Sequence, residues 1–153
     1  MKKTVLILIT AFLMSDFCAA QGPAKAIFFE LGGPGLASLN YDMRFQNSEK
    51  GLGGRLGIGG FSLSGDDSRF TAVFVPAAVN YIMSKDDKNY LELGAGVTAV
   101  ILRDGSADKK ESLKSSFYHV DIAYRLQPKE DGFFFRAAIT PIFNKHFFWP
   151  YYA

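Results

Sequence analysis

The chain has 153 residues, a formal net charge of +2 and a single cysteine, Cys18. A chain of this length forms one domain, and a charge this close to zero gives no reason to expect a nucleic-acid partner. We expect the segment that contains Cys18 to be removed, so the remaining chain would hold no disulfide, thiolate nucleophile or cysteine-based metal site.

The amino-terminal segment has the pattern of a secretory signal peptide. Two lysines open it, the apolar run 5–14 follows, and the small residues Ala19 and Ala20 precede the expected cleavage point. The run is about ten residues long, half of what a transmembrane helix needs to cross the hydrocarbon core. We therefore divide the chain into a signal peptide, residues 1–20, and one mature domain, residues 21–153.

After the signal peptide the sequence alternates between apolar and polar residues with a period of two, and Gly, Asp, Ser and Lys clusters separate the runs. This pattern predicts an all-β fold, an antiparallel up-and-down meander. The predicted strands, in chain order, are 25–32, 36–45, 52–63, 70–84, 89–103, 116–127 and 132–143, with an eighth beginning near Tyr151.

The connections fall into two alternating sets. Short polar turns are predicted at 46–51, 85–88 and 128–131, and the other set includes the long polar segment 104–115 and the aromatic segment 144–150. Outer-membrane barrels have short periplasmic turns and longer outer loops. The asymmetry therefore favours a transmembrane barrel.

Three of the predicted strands end in a similar way just before a short turn, with Tyr41, Tyr81 and Tyr124 at equivalent places. A fourth copy at the same spacing would fall past the last residue of the sequence. We therefore expect eight strands in the complete protein, with the last strand largely missing here.

Each strand has one apolar and one polar face, because side chains alternate along a strand. Turning four arginines towards lipid near the bilayer midplane would cost on the order of 10 kcal/mol. The polar face should therefore point inward and form a lumen closed by ion pairs, with no conducting pore. Its predicted charged residues are Glu30, Asp42, Arg44, Arg55, Glu92, Asp121, Arg125 and Arg136.

Aromatic residues on the apolar face cluster at strand ends. A ring with a polar tip suits the membrane interface, although ordinary core packing is the alternative. The predicted interfacial aromatics are Tyr41, Phe45, Tyr81, Tyr124, Phe133 and Phe135 beside the short turns, and Trp149 in the aromatic segment.

Several of these features together resemble a known class. The signal peptide, the opening Phe28–Gly33 and the strand Leu91–Gly96 are similar to those of small outer-membrane β-barrel proteins common in Bacteroidota, of the eight-stranded OmpX and OmpA type. The resemblance covers nearly all of the mature chain. It implies insertion by the barrel-assembly machinery into the outer membrane, with membrane lipid around the barrel, and it implies a final strand that ends in an aromatic residue.

Two motifs invite a more specific interpretation. The glycine-rich segment 51–60 has no Lys-Ser or Lys-Thr pair after it and no following helix, so phosphate binding is disfavoured. His119 with Asp121 and Glu92 has the residue types of an acid–base site, but no serine of a His-x-Ser motif accompanies it. We expect no enzyme activity, no cofactor and no metal.

The sequence thus predicts a monomeric barrel in the cell outer membrane with a structural or surface-interaction role through its outer loops. Two alternatives stay open. One is an outer-membrane enzyme that modifies lipid, of the lipid A acyltransferase or deacylase type, and the other is a periplasmic lipocalin-like binder, because alternation alone also fits a soluble barrel.

Overall fold

The computed structural model describes residues 23–64, 69–106, 109–127 and 134–150, without the side chains of 104–106 and 109–113. The segments of this part of the chain in which apolar and polar residues alternate form strands. The one helical element of the described residues is a single 3-10 turn, Gly33–Gly35. No helix in these ranges has the length and hydropathy needed to span a bilayer. The strands are β1 (Lys25–Leu31), β2 (Ala37–Arg44), β3 (Gly51–Ser64), β4 (Arg69–Met83), β5 (Asn89–Ser106), β6 (Lys109–Leu126), β7 (Phe135–Ile139), β8 (Ile142–Phe143) and β9 (Phe148–Trp149).

All the strands belong to one sheet. From β1 to β6, strands that are consecutive in sequence pair with one another in antiparallel orientation. The predicted all-β, up-and-down meander is confirmed. Strands β7 and β8 both pair with β6 in one continuous register, Ile122 opposite Ile139 and His119 opposite Ile142. They are one line interrupted at Pro141, whose missing N–H cannot join the ladder, while its carbonyl still accepts from the N–H of Val120 at 3.1 Å.

The strand boundaries differ from the prediction at the long connection. Segment 104–115 was expected to be a loop, yet β5 and β6 continue through most of it and Ser106 stands opposite Lys109. The expectation was wrong because polar side chains do not prevent pairing when each strand of a hairpin satisfies the other's backbone. The β5–β6 hairpin therefore extends beyond the ends of β1 and β2.

The sheet is not closed, which differs from the predicted barrel. β1 forms one end of the strand order and β9, beside the line of β7 and β8, forms the other, and no described residues of β1 and β7 pair through their backbones. The sheet is nevertheless strongly curved, because side chains of β1 and β7 meet on its inner side. A cavity of about 630 Å³ separates the two strands, and we call it the seam.

The aromatic segment 144–150 was also expected to be a loop. Instead, Asn144 and Phe147 close a tight turn through an N–H···O bond of 3.0 Å, and β9 pairs with β8 on the edge that faces the seam. Strand β9 therefore takes the place of the predicted eighth strand, and it begins at Phe148. The predicted start near Tyr151 lies outside the described residues.

Burial is reversed relative to a soluble β-protein. The inner face of the sheet buries charged and polar side chains, with Glu92 fully buried and Asp42 2% exposed, while the outer face leaves Phe29 and Leu31 64% and 75% exposed. Sandwiches and lipocalin-type barrels place the apolar face inside. The inner face of this sheet is therefore the place to look for a site.

Candidate functional site

All eight charged residues predicted for the lumen lie on the inner face of the sheet. They come from six strands, and alternation along each strand directs them inward. Their side chains are between 0% and 10% exposed. The structure therefore brings together every member of the predicted set.

One half of this cluster is centred on Asp42. Its carboxylate lies 2.6 Å from Arg44 Nη2 and 3.3 Å from Arg125 Nη1. The other terminal nitrogen of Arg125, Nη2, lies 2.9 Å from Glu92 Oε2. Asn80 links the same two acids, since its amide nitrogen donates to Asp42 at 2.6 Å and to Glu92 at 3.3 Å.

The other half is centred on Arg136 and Arg55. Arg136 lies 3.1 Å from Glu92 and 2.5 Å from Glu30, so it joins two carboxylates from different strands. Arg55 reaches Glu30 at 3.4 Å and Asp121 at 2.8 Å. A forked guanidinium can bridge two carboxylates in this way, whereas a lysine ammonium has no such fixed geometry.

These contacts form one continuous path in which cations and anions alternate at every step, and a further contact of 3.9 Å between Arg136 and Asp121 closes its second half into a ring. We call it the charge path; in order it runs Arg44, Asp42, Arg125, Glu92, Arg136, Glu30, Arg55, Asp121. Four arginines meet four carboxylates, so the path is neutral when every member is ionised. A buried charge is tolerated when it is paired and hydrogen-bonded, and each charge here has an opposite neighbour.

Glycines on the same face leave the space that the long side chains need. A Cβ on Gly53 would overlap the guanidinium of Arg44 and the carbonyl oxygen of Met43. A Cβ on Gly96 would overlap the carbonyl oxygen of Ala77 and stand 2.6 Å from His119 Nε2. The glycine-rich segments thus serve packing of the interior.

Neutral polar residues that sequence reasoning did not single out complete the cluster. Asn80 accepts from Arg44 at 2.6 Å, and Thr140 donates to Asp121 at 2.9 Å. Asn40 donates to Ser38 at 2.9 Å. Their inward position follows from the strand period, but the residues they contact depend on the pairing register between strands, which one strand's sequence does not give.

His119 lies beside the charge path and is not a member of it. Its ring is 1% exposed, its Nδ1 lies 3.4 Å from the Thr98 hydroxyl, and its Nε2 lies 3.8 Å from Asp121. The buried Nε2 has no hydrogen-bond partner within the described residues. The combination of His119, Asp121 and Glu92, which the sequence disfavours as a catalytic site, does not form one triad, because Glu92 contacts arginines and Asn80.

The interior is apolar beyond each end of the charge path. On the side of the long hairpin, Val100, Phe117 and Ile142 form a small core to which Phe74 and Leu102 add their side chains. At the opposite end, Ile82 and Tyr90 are each 1% exposed, and the Tyr90 hydroxyl donates to Glu49 at 2.6 Å. No group of three metal-ligating side chains occurs within the described ranges.

The predicted interfacial aromatics that the structure describes are all exposed, and all but Trp149 project from the outer face; Trp149 stands opposite Ile142, whose side chain is buried on the inner face, so the two share that face. Phe133 lies outside the described residues. Tyr41, Phe45, Tyr81, Tyr124 and Phe135 lie near the ends of strands beside the short connections, and Trp149 lies at the other end of the sheet. The exposed Tyr124 hydroxyl donates to Asn89, so that ring has an apolar body and a hydrogen-bonded tip.

Comparisons of the chain with protein-family models, with curated proteins and with solved structures find no match.

Proposed function

We propose that the mature chain is a small β-barrel protein of the bacterial outer membrane, with a closed, non-conducting interior and a structural or surface-interaction role carried by its outer loops. The observation that carries the proposal is the reversed burial. A charge path lies inside the sheet, and a broad set of large apolar side chains lies outside.

The outer face is chemically suited to lipid. Leu39, Leu56, Ile58, Val79 and Leu93 are all more than two-fifths exposed, and they lie on neighbouring strands. Soluble monomers rarely expose continuous apolar patches larger than a few hundred Å². In a bilayer the same surface needs no further cover.

The inner face is suited to a closed interior. The charge path fills the middle of the enclosed space with guanidinium and carboxylate groups that bind one another, and apolar side chains lie at both of its ends. An aqueous channel needs water-accessible polar walls, as in large porins. We therefore propose no transport role.

The alternatives are less well supported. A lipocalin-like binder needs an apolar interior, and here the apolar face is outside. For a lipid-modifying enzyme, His119 would have to reach substrate, but its ring is buried among Thr98, Asp121 and the arginines of the charge path. The barrel proposal accounts for both faces of the sheet.

The test is to express the full chain with its amino-terminal segment and to separate inner and outer membranes. We expect the protein in the outer-membrane fraction and, after refolding in detergent, faster electrophoretic migration before boiling than after it. A monomer that stays folded in buffer without detergent would overturn the proposal. Unchanged lipid A mass in cells with and without the protein would argue further against the enzyme.

A further inference from the structure

We infer that three cationic side chains on the outer face of the sheet bind the phosphate of a lipid headgroup, while the acyl chains of the same lipid lie on the apolar surface beside them. The three residues are Arg69, Arg103 and Lys114, and we call them the basic patch. The inference rests on the proposed membrane location. It adds a lipid partner of defined chemistry to that proposal.

Alternation along the strands places the whole basic patch on the outer face. Each member lies an odd number of positions from a residue of its own strand that points inward: Ala72 on β4, Leu102 on β5 and Phe117 on β6. Side chains an odd number of positions apart on a strand point to opposite faces. All three members of the basic patch are exposed.

The register between the strands brings these three residues close to one another. Arg103 stands opposite Thr71, which is two positions from Arg69 along β4. Lys114 stands opposite Ile101, which is two positions from Arg103 along β5. Arg69 and Lys114 are therefore the diagonal neighbours of Arg103, and such neighbours on one face lie about 7–8 Å apart. Long, flexible cationic side chains at this spacing can reach the same headgroup.

The charges of the basic patch are not compensated within the described part of the chain. No described side chain forms an ion pair with any of the three cations. The nearest acidic positions along these strands, 104 and 111, stand opposite each other, and alternation assigns both positions to the inner face. The arginines of the charge path, by contrast, each have a carboxylate partner. The basic patch is therefore free to bind an anion from outside the chain.

Strand length places the basic patch at the boundary of the apolar surface. Tyr81 and Tyr124 mark the short-turn end of β4 and β6, and Leu91 of β5 stands opposite Tyr124. A strand crosses the hydrocarbon region in about 9–11 residues, so the far boundary falls at about 71–73 on β4, 99–101 on β5 and 114–116 on β6. The basic patch lies at these positions or just past them, which is the depth of lipid headgroups. Val73 and Ile101, both partly exposed, lie on the hydrocarbon side of it.

The opposite end of the sheet has no comparable surface. Its exposed charges have both signs, since Asp86 lies between Lys85 and Lys88 in one turn, and Lys50 lies 2.5 Å from Asp87. Cations near an anionic lipid surface attract it over about a Debye length, and a guanidinium fork matches the oxygens of a phosphate. A molecule with a phosphate head and an apolar tail therefore fits the end with the long β5–β6 hairpin, where the basic patch adjoins the lipid-facing surface.

The experiment uses the full chain refolded in micelles of an uncharged maltoside detergent and titrated with dimyristoylphosphatidic acid, whose headgroup is a phosphate monoester. We expect saturable shifts of the amide signals of Thr71, Arg103 and Lys114. Dimyristoylphosphatidylcholine has the same acyl chains and no net charge, and it should bind at least about tenfold more weakly. Equal binding of the two lipids would overturn the inference, because the acyl chains alone would then account for it.

Two matched triple variants test the site. Combining Arg69→Gln, Arg103→Gln and Lys114→Gln should weaken binding of phosphatidic acid at least about tenfold. The control combines glutamine substitutions of three exposed lysines at the short-turn end, Lys25, Lys85 and Lys88. Both variants remove three positive charges from exposed positions, so both should fold, and the control should change binding less than about twofold. Equal losses would mean that net charge attracts the lipid and that the basic patch is not a site.

Inorganic phosphate tests whether the anion must belong to a lipid. At the same concentration as phosphatidic acid it should cause no saturable shift at Arg103, because it has no acyl chains to lie on the apolar surface. Binding of inorganic phosphate as tight as that of the lipid would overturn the inference in favour of a site for a free anion. Binding of phosphatidic acid that does not weaken as salt is raised would also contradict it, since exposed charges are screened by salt.

The two proposals fail separately. Membrane fractionation and heat-dependent migration of the unmodified chain test the outer-membrane assignment. If the chain inserts but does not distinguish phosphatidic acid from phosphatidylcholine, only the lipid site is wrong. If the chain is folded in buffer without detergent, the membrane assignment is wrong, and the lipid site, which rests on that assignment, is wrong with it.

Discussion

Arg136 lies 2.5 Å from Glu30, although the strands that carry these two residues form opposite ends of the sheet and do not pair through their backbones. The contact joins positions 106 residues apart in sequence. It therefore joins the two sides of the open sheet on the inner face, while the contact of Arg136 with Glu92, at 3.1 Å, links the two halves of the charge path.

Replacing Arg136 with methionine should destabilise the fold by about 3–5 kcal/mol, because Glu30 and Glu92 would lose a shared buried partner. Urea unfolding in detergent micelles measures the effect. The matched control is Arg69→Met, since Arg69 is exposed at the start of β4 and its replacement should change stability by less than about 0.5 kcal/mol. Equal effects of the two changes would mean that the charge path adds nothing to stability.

Combining Glu30→Gln with Arg136→Met should cost less than the sum of the two single changes. Each single change takes one opposite charge away from a buried group that keeps its own charge, while the double change removes both members of the contact. The double-mutant cycle is measured by the same urea unfolding. Additive single effects would show that the contact across the seam is not energetically coupled.

Much of this arrangement follows from alternation in the sequence. The period of two in β2, with Asp42 and Arg44 on one face and Tyr41 and Met43 on the other, is enough to predict which side chains lie inside and which lie outside. All eight charged residues were predicted on this basis. The meander order follows equally from short turns between successive runs.

Two other features do not follow from alternation. The order of contacts along the charge path depends on register, for example Gly94 opposite Asp121 and Asp42 opposite Arg55, and one strand's pattern carries no register information about its neighbour. The open seam depends on whether β1 and β7 meet through their backbones. The polar composition of 104–115 also led to a wrong loop prediction. Backbone pairing in the β5–β6 hairpin stabilises strands there, although the side chains are typical of loops.

Gly96→Ala should destabilise the sheet by about 1–3 kcal/mol, the usual cost of overpacking. The added methyl group would overlap the carbonyl oxygen of Ala77, which cannot move without breaking the β4–β5 ladder. Ala95→Val is the control, because Ala95 is the next residue and is exposed on the outer face. A similar loss of stability in both variants would mean that the effect comes from strand propensity and not from crowding in the interior.

The turn after β4 should show a titration shifted to low pH. The Asp86 carboxylate accepts from the side chain and the backbone N–H of Asn89 and from the backbone N–H of Lys88, and these bonds hold its pKa below the ordinary aspartate range. Since the pKa is lower in the folded state, the carboxylate favours folding above its unfolded pKa of about 3.9, and this contribution is lost as pH falls through the folded value.

Carbon-detected NMR titration of Asp86 checks this, and Asn89→Ala serves as the matched variant. Removing the Asn89 side chain deletes the largest cause of the shift, so the Asp86 pKa should move back towards the ordinary value. A midpoint at the ordinary aspartate pKa in the unmodified chain would show that the turn does not form these bonds in solution.

The refolded chain should give no stable channels in a planar bilayer, because arginine and carboxylate groups fill the interior and the Val100, Phe117 and Ile142 core lies beyond them. Uniform, long-lived conductance steps would contradict a closed interior.

The cost of an arginine on the outer face should depend on its depth in the bilayer. Leu56 and Leu52 lie on the same face of the same strand and are similarly exposed, at 57% and 48%, but Leu56 lies between β2 and β4 in the middle of the sheet, whereas Leu52 lies at the start of β3 opposite Tyr81, beside a short turn. Leu56→Arg should cost about 2–4 kcal/mol in lipid vesicles, and Leu52→Arg about 0–1 kcal/mol. Unfolding by denaturant in vesicles of phosphatidylcholine measures both. Equal and small costs would mean that this face meets water, since an exposed leucine in water can be replaced by arginine at little expense.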